Sequence, residues 1–294
     1  MPRLFDPSTL GKYGRLALVA RGLVEGFLTG IHKSPYKGAS VEFAEHRQYY
    51  PGDEIRHIDW RAVAKTERYY VKEFEEETNL RLHLLVDASG SMAYRGAHPS
   101  KWQHAQHVAA SLAYLMLRQR DAVGLALHDT KLRSMLKPKA NAKHLLQVLN
   151  ALEAARPEGE TALAPLWHRI AGQIRQRGMV VIVSDCFGDP AALLKAMQHL
   201  RHRRHEVMVF HVLAPEEIEF PFKKWTQFKS LESPDRRLVD PQRLRKEYLA
   251  NFDRFRAELR QACGKCQADY HLLRTDEPVE RALGLYLSRR QRQR

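Results

Sequence analysis

Leu82-His83-Leu84-Leu85-Val86-Asp87-Ala88-Ser89-Gly90-Ser91-Met92 is an apolar run that stops in an acid and is followed by two hydroxyls at two-residue intervals. Leu84-Leu85-Val86 has the composition of a strand buried on both faces. Asp87 then emerges at the carboxyl end of that strand, and Gly90 allows a tight turn that brings both serine oxygens toward one point. Three hard oxygen donors without Cys or His among them suit Mg²⁺ or Mn²⁺ better than Zn²⁺. The same residues also suit a plain strand-to-loop turn in which Asp87 and Ser89 cap backbone N–H groups. The remaining ligands therefore have to be sought elsewhere in the chain.

Upstream, Leu16, Val19, Ala20, Leu23 and Phe27 recur at helical spacing and predict an amphipathic helix ending near Gly30. Residues 41–78 are dense in charges and aromatics, with a turn signal at Pro51-Gly52-Asp53 and strand-like alternation from Tyr70 to Glu75. Their arginines and acids are expected to form a buried ionic network. Downstream, strand and helix patterns alternate. A capping box at Ser100 and Gln103 opens a helix. Strands are expected over 123–127, 132–136, 179–183, 207–212 and 270–273. Helices are expected over 142–155, from Leu163 with Gly178 as terminator, from Asp189-Pro190 to Leu200, from Asp240-Pro241 through Leu259, and over 279–287. Residues 214–240 break the rhythm as an insertion or hairpin.

This alternation predicts an α/β fold: a doubly wound, mostly parallel sheet covered by helices on both faces. The expected organisation is an N-terminal helix and β-rich segment over 1–79, then a main domain over 80–294. Ligands of such a sheet sit beyond the carboxyl ends of strands where the strand order reverses. Met179-Val180-Val181-Ile182-Val183 also ends in an acid, as Ser184-Asp185, and Gly159-Glu160-Thr161 lies in a loop that opens a helix. The candidate metal set becomes Asp87, Ser89, Ser91, Thr161 and Asp185.

These five residues resemble the metal-ion-dependent adhesion site of von Willebrand factor A domains, in that family's order and on the expected elements. By the family's pattern the serines and threonine hold Mg²⁺ (or Mn²⁺) directly or through water. Asp87 and Asp185 then act largely through water, and a partner's Glu or Asp completes the open position. A second resemblance rests on Phe43, Arg47, Tyr49, Pro51-Gly52-Asp53, Arg56, Ile58-Asp59-Trp60 and the acidic run to Glu77. Glu217, Phe220-Pro221-Phe222 and Leu231-Glu232 extend it. Together they resemble the domain-of-unknown-function family fifty-eight. Two positions depart from these patterns: Lys65 stands where that family often has arginine, and Cys186 follows Asp185 where many adhesion domains have glycine. The resemblance implies a MoxR-type AAA+ ATPase as partner and an adaptor or co-chaperone role toward a further client protein.

Composition narrows the alternatives. The chain carries a formal charge of +14 and 44% hydrophobic residues, the latter ordinary for a globular protein. No stretch reaches the length needed to span a bilayer, and the N-terminal apolar run lacks a signal-peptide pattern, so a cytoplasmic location is expected. Much of the positive excess sits in Arg201–His205 and in the tail from Arg289. No aromatics interleave with these bases, which favours solvated helix ends over a nucleic-acid platform. Cys263-Gly264-Lys265-Cys266 offers half a zinc site, and Cys186 is the only further cysteine. No phosphate loop, dinucleotide turn or G-x-S-x-G elbow is present. The expected function is non-enzymatic protein binding. A nucleic-acid-associated protein is the alternative, and a metal-dependent hydrolase is less favoured because it needs a general base that the sequence does not identify.

Overall fold

The computed structural model describes residues 14–33, 46–48, 70–72 and 80–291. The chain divides into two compact units, residues 29–79 and residues 1–28 with 80–294. In the first, strands β1 (His46–Gln48) and β2 (Tyr70–Lys72) pair antiparallel. The Pro51-Gly52-Asp53 turn, the ionic network expected around it and most of the family signature lie outside the described residues. The first helix, α1 (Arg15–Lys33), places Leu16, Ala17, Ala20 and Val24 in the core of the larger unit. The described residues 14–28 therefore group with that unit.

The larger unit is built on strand β3 (Arg81–Asp87), whose residues 82–87 are all buried. Its side chains alternate: Leu82, Leu84 and Val86 face one core, and Leu85 faces the other. After it come α2 (Lys101–Arg118), β4 (Ala122–His128), β5 (Leu132–Lys139), α3 (Ala142–Ala154), α4 (Leu163–Gln173) and β6 (Met179–Ser184). Then follow α5 (Pro190–His202), β7 (Glu206–Leu213), the short α6 (Pro215–Glu219), β8 (Thr226–Lys229) and β9 (Arg236–Val239). The chain closes with α7 (Pro241–Lys265), β10 (Asp269–Arg274) and α8 (Glu280–Gln291).

The main sheet has the order β10-β7-β6-β3-β4-β5. All neighbours are parallel except the β4–β5 edge pair. Helices α1, α2, α3 and α8 cover one face, and α4, α5 and α7 cover the other. This is the doubly wound, mostly parallel α/β fold expected. The start signals also hold. Ser100 Oγ accepts the Gln103 amide at 3.1 Å while Gln103 Oε1 accepts the Ser100 amide at 3.1 Å. Asp189 caps Ala191 and Ala192, each at 3.1 Å, and Asp240 caps Gln242 at 3.1 Å. The expected insertion over 214–240 contains α6 and the antiparallel β8–β9 hairpin.

Gly178 has a different role from helix terminator. Helix α4 ends at Gln173 with Ile174 as its cap. A Cβ on Gly178 would run into the Arg81 carbonyl, so glycine is needed for the close approach of β6 to β3 at their starts. Among the described residues, no helix is long and apolar enough to cross a membrane.

Several histidines lie inside this core. Burial pushes His83, His104, His128 and His211 down to about 4. Unfolded histidines titrate near 6.5, so between about 6.5 and 4 the unfolded chain takes up protons that the fold refuses. Their contribution is complete above pH 6.5 and is lost as pH falls toward 4, by up to about 1.4 kcal/mol per histidine per pH unit. Asp87, raised by burial and then by Asp185, acts in the opposite sense: it gains stability on acidification. Glu217, also raised by burial, acts with Asp87, and the four histidines outnumber these two acids. Thermal melts should therefore show Tm falling steadily from pH 6.5 to 4; a flat profile there would contradict neutral buried histidines.

Candidate metal centre

Strand order reverses between β3 and β6: the chain runs outward from β3 through β4 to β5, then returns to β3's other side as β6. Val86 lies opposite Val183 in the parallel register, so Asp87 and Ser184-Asp185 leave the sheet side by side. Both acids are fully buried. Ser184 Oγ donates to Asp87 Oδ2 at 2.6 Å, and the Ser89 amide donates to Asp87 Oδ1 at 2.9 Å. Ser89 Oγ and Ser91 Oγ lie 3.1 Å apart. The Ser91 hydroxyl also helps hold the Asp185 carboxyl low. Both hydroxyls thus converge beside the two acids, as the D-x-S-x-S spacing predicts.

Thr161 joins this group through a loop pinned at several points. The Gly90 amide donates to the Gly159 carbonyl at 2.8 Å, and the Glu158 amide donates to the Ala88 carbonyl at 3.1 Å. Arg133 bonds the carbonyls of Arg156 at 2.5 Å and Glu158 at 2.7 Å and pairs with Asp129 at 2.6 Å. Gly159 has φ +81, a left-handed conformation that glycine adopts without strain. Gly90 does not share that conformation. Its requirement is space, since a Cβ there would strike the Leu231 carbonyl.

Four further residues belong to the site. Ser184 bridges the two halves, with its oxygen also accepting the Cys186 amide at 2.8 Å. Lys101, at the first position of α2, is almost fully buried and donates to Asp185 Oδ2 and Glu217 Oε1, each at 2.7 Å. Glu232, from the β8–β9 turn, accepts from the Ser91 amide at 3.3 Å and the Thr161 amide at 3.1 Å, and from the Thr161 hydroxyl. The sequence placed Glu217 and Glu232 in a family pattern without a role. Lys101 carried one local signal, its place just after the Ser100 cap, and nothing local marks its partners 84 and 116 residues away.

Electrostatics separate the two acids. Burial raises Asp87, and the neighbouring Asp185 carboxylate raises it further. Burial also pushes Asp185 upward, but the Lys101 ammonium, the Ser91 hydroxyl and the Phe187 amide outweigh it and hold this carboxyl low. Glu217 is raised by burial despite Lys101. The linked group holds the carboxylates of Asp87, Asp185, Glu217 and Glu232 against a single ammonium. A cation is the natural complement. Among the described residues no three His, Cys, Asp or Glu side chains cluster as a ligand set. The donors here are mainly hydroxyls, which suits a hard ion and not zinc. Cys263 and Cys266 are buried free thiols.

The family described as "Protein of unknown function DUF58" matches residues 45–258. The chain belongs to that family. This DUF58 chain is 27% identical over 277 residues to the uncharacterized protein Rv1480 of Mycobacterium tuberculosis, covering 92% of this chain and 86% of the relative. Among solved structures it is similar to an aerotolerance-related membrane protein from Bacteroides fragilis carrying multiple mutations to serine, with TM-score 0.51 and 15% identity over 71% of this chain and 97% of that one. It is also similar to the VWA domain of SpRpn10, with TM-score 0.42 and 10% identity over 69% of this chain and 93% of that one.

Cys186 has φ +53 and a fully buried side chain. The residue after Asp185 therefore takes a left-handed conformation despite bearing a Cβ. Left-handed backbone costs a residue bearing a Cβ roughly 1–2 kcal/mol. Cys186→Gly should therefore be no less stable in urea denaturation than Cys186→Ala, the reverse of the usual order in regular structure. Lys101→Met leaves Asp185 and Glu217 buried without their cation and should cost about 3–5 kcal/mol in the same assay.

Proposed function

We propose that this protein is a non-enzymatic, Mg²⁺-dependent protein-binding module of von Willebrand factor A type, in which Asp87, Ser89, Ser91, Thr161 and Asp185 form the ion site. One observation carries the reading: two strand-end acids and the Ser89–Ser91 hydroxyl pair converge at the switch point of a doubly wound sheet, with Thr161 brought alongside on a pinned loop. A bound Mg²⁺ or Mn²⁺ would supply an electrophilic centre able to accept a carboxylate oxygen. Ser89, Ser91 and Thr161 would present hydroxyls to it. Asp87 is oriented by Ser184 and the Ser89 amide. Asp185, with one oxygen committed to Lys101, is suited to act through water.

The family resemblance supports a MoxR-type AAA+ ATPase as partner, with the protein serving as adaptor or co-chaperone toward a client. A nucleic-acid role finds less support, because several of the clustered bases are engaged within the protein. Arg203 donates to the Ala171 carbonyl at 3.0 Å, Arg289 pairs with Asp269 at 2.9 Å and Arg290 with Asp121 at 2.5 Å.

Titration calorimetry with Mg²⁺ and with Mn²⁺ should show binding to the wild type that Asp87→Ala abolishes; equal binding to both proteins would remove the site. A pull-down from lysate should recover an AAA+ ATPase in Mg²⁺ and lose it in EDTA.

A further inference from the structure

Glu232 reaches the ion site from the turn of a hairpin that belongs neither to the sheet nor to its covering helices. Its carboxylate takes the Ser91 amide at 3.3 Å, the Thr161 amide at 3.1 Å and the Thr161 hydroxyl. Those two residues stand on separate loops, and both belong to the proposed ligand set. A single carboxylate spanning both is the contact that an incoming acidic side chain would make. The fit is built on both sides. Gly90 lacks the Cβ that would strike the Leu231 carbonyl, so the metal-site loop accommodates the hairpin turn directly.

We propose that the β8–β9 turn is a self-ligand: Glu232 holds the carboxylate position in cis, and a partner acid binds by displacing it. The proposal rests on the reading of this crevice as a carboxylate receptor. The turn is shaped before it docks. Ser230 Oγ accepts the amides of Glu232 at 3.2 Å and Ser233 at 3.0 Å, and the Ser230 amide donates to the Asp235 carbonyl at 2.9 Å. Its root is fixed by Phe228, whose ring stacks on Phe220 at 5.9 Å and meets Phe222 edge-on at 5.2 Å. Its tip has no such anchor. Leu231 is 46% exposed, and Ser230, Pro234 and Asp235 are exposed as well. Hydrogen bonds to Glu232 hold the tip down, so displacing that one carboxylate releases the cap while the ring-packed root stays in place.

The ligand class follows from the same contacts. The site takes a Glu or Asp side chain on an exposed turn or extended segment, and a chain of net charge +14 attracts acidic proteins over long range.

The test uses the full chain and a fluorescent synthetic peptide of its own turn, Lys229 to Asp235, in Mg²⁺. Glu232→Ala should bind the peptide at least tenfold more tightly than wild type, where the tethered copy competes. A peptide with Gln at the Glu232 position should lose that gain. In EDTA, hydrogen exchange over residues 88–93 and 159–163 should be several-fold faster in Glu232→Gln than in wild type. Equal peptide affinity for wild type and Glu232→Ala, or unchanged exchange, overturns the self-ligand. The metal reading is judged separately by Mn²⁺ binding to wild type and Asp87→Ala. Mn²⁺ binding with unchanged exchange removes the cap and keeps the ion site, whereas faster exchange and peptide gain without Mn²⁺ binding keeps the cap and removes the ion.

Discussion

The parallel register of β3 on β6 sets everything at the site. Because Val86 faces Val183, two acids that are nearly a hundred residues apart leave the sheet together, already dehydrated by the layers of helix above and below. Two buried carboxylates so close would repel each other. The fold answers with a different device for each. Asp87 receives the Ser184 hydroxyl and a backbone amide, while Asp185 receives a buried ammonium. The two acids are therefore not equivalent: one is neutralised from behind by Lys101, and the other faces the serine hydroxyls with no cation of its own in the linked group.

Lys101 deserves its place because of where α2 begins. The Ser100–Gln103 box fixes the first turn, and the first helical residue after the cap projects into the crevice between β6 and α6. Glu217 closes the other side of that ammonium and also accepts the Ala214 amide at 2.8 Å. The segment following β7 is thereby tied to the crevice at Asp185. A buried triad of this kind contributes little net stability over an apolar replacement, but it tolerates no missing member.

Much of this was legible in the sequence where one residue's neighbours in the chain determine its structure. Apolar runs ending in acids marked β3 and β6, and Ser100, Asp189 and Asp240 marked helix starts by the capping bonds they make. Asp87, Ser89 and Ser91 sit close because their spacing enforces it. The positions of Lys101, Ser184 and Glu232 were not legible as a site, since each acts through partners brought near only by sheet register or hairpin docking. Gly178 misled for the same reason: its need for a missing Cβ comes from Arg81 on a neighbouring strand, not from the helix before it. Cys186 shows the converse: its left-handed backbone could not be read from a residue type that rarely adopts it.

The aromatic rings beneath the hairpin do not stop at its root. Phe220 packs on Tyr248 at 4.5 Å, Tyr248 stacks on Phe252 at 5.6 Å, Phe252 meets Phe255 at 6.4 Å, and Phe255 meets Phe187 at 6.0 Å. Phe187 is 59% exposed and lies two residues beyond Asp185. One row of rings along α7 thus stiffens both the base of the hairpin and the far bank of the crevice. A turn that opened at its tip alone, on a root held by this row of rings, would make its opening rate the limit on how fast a partner is captured.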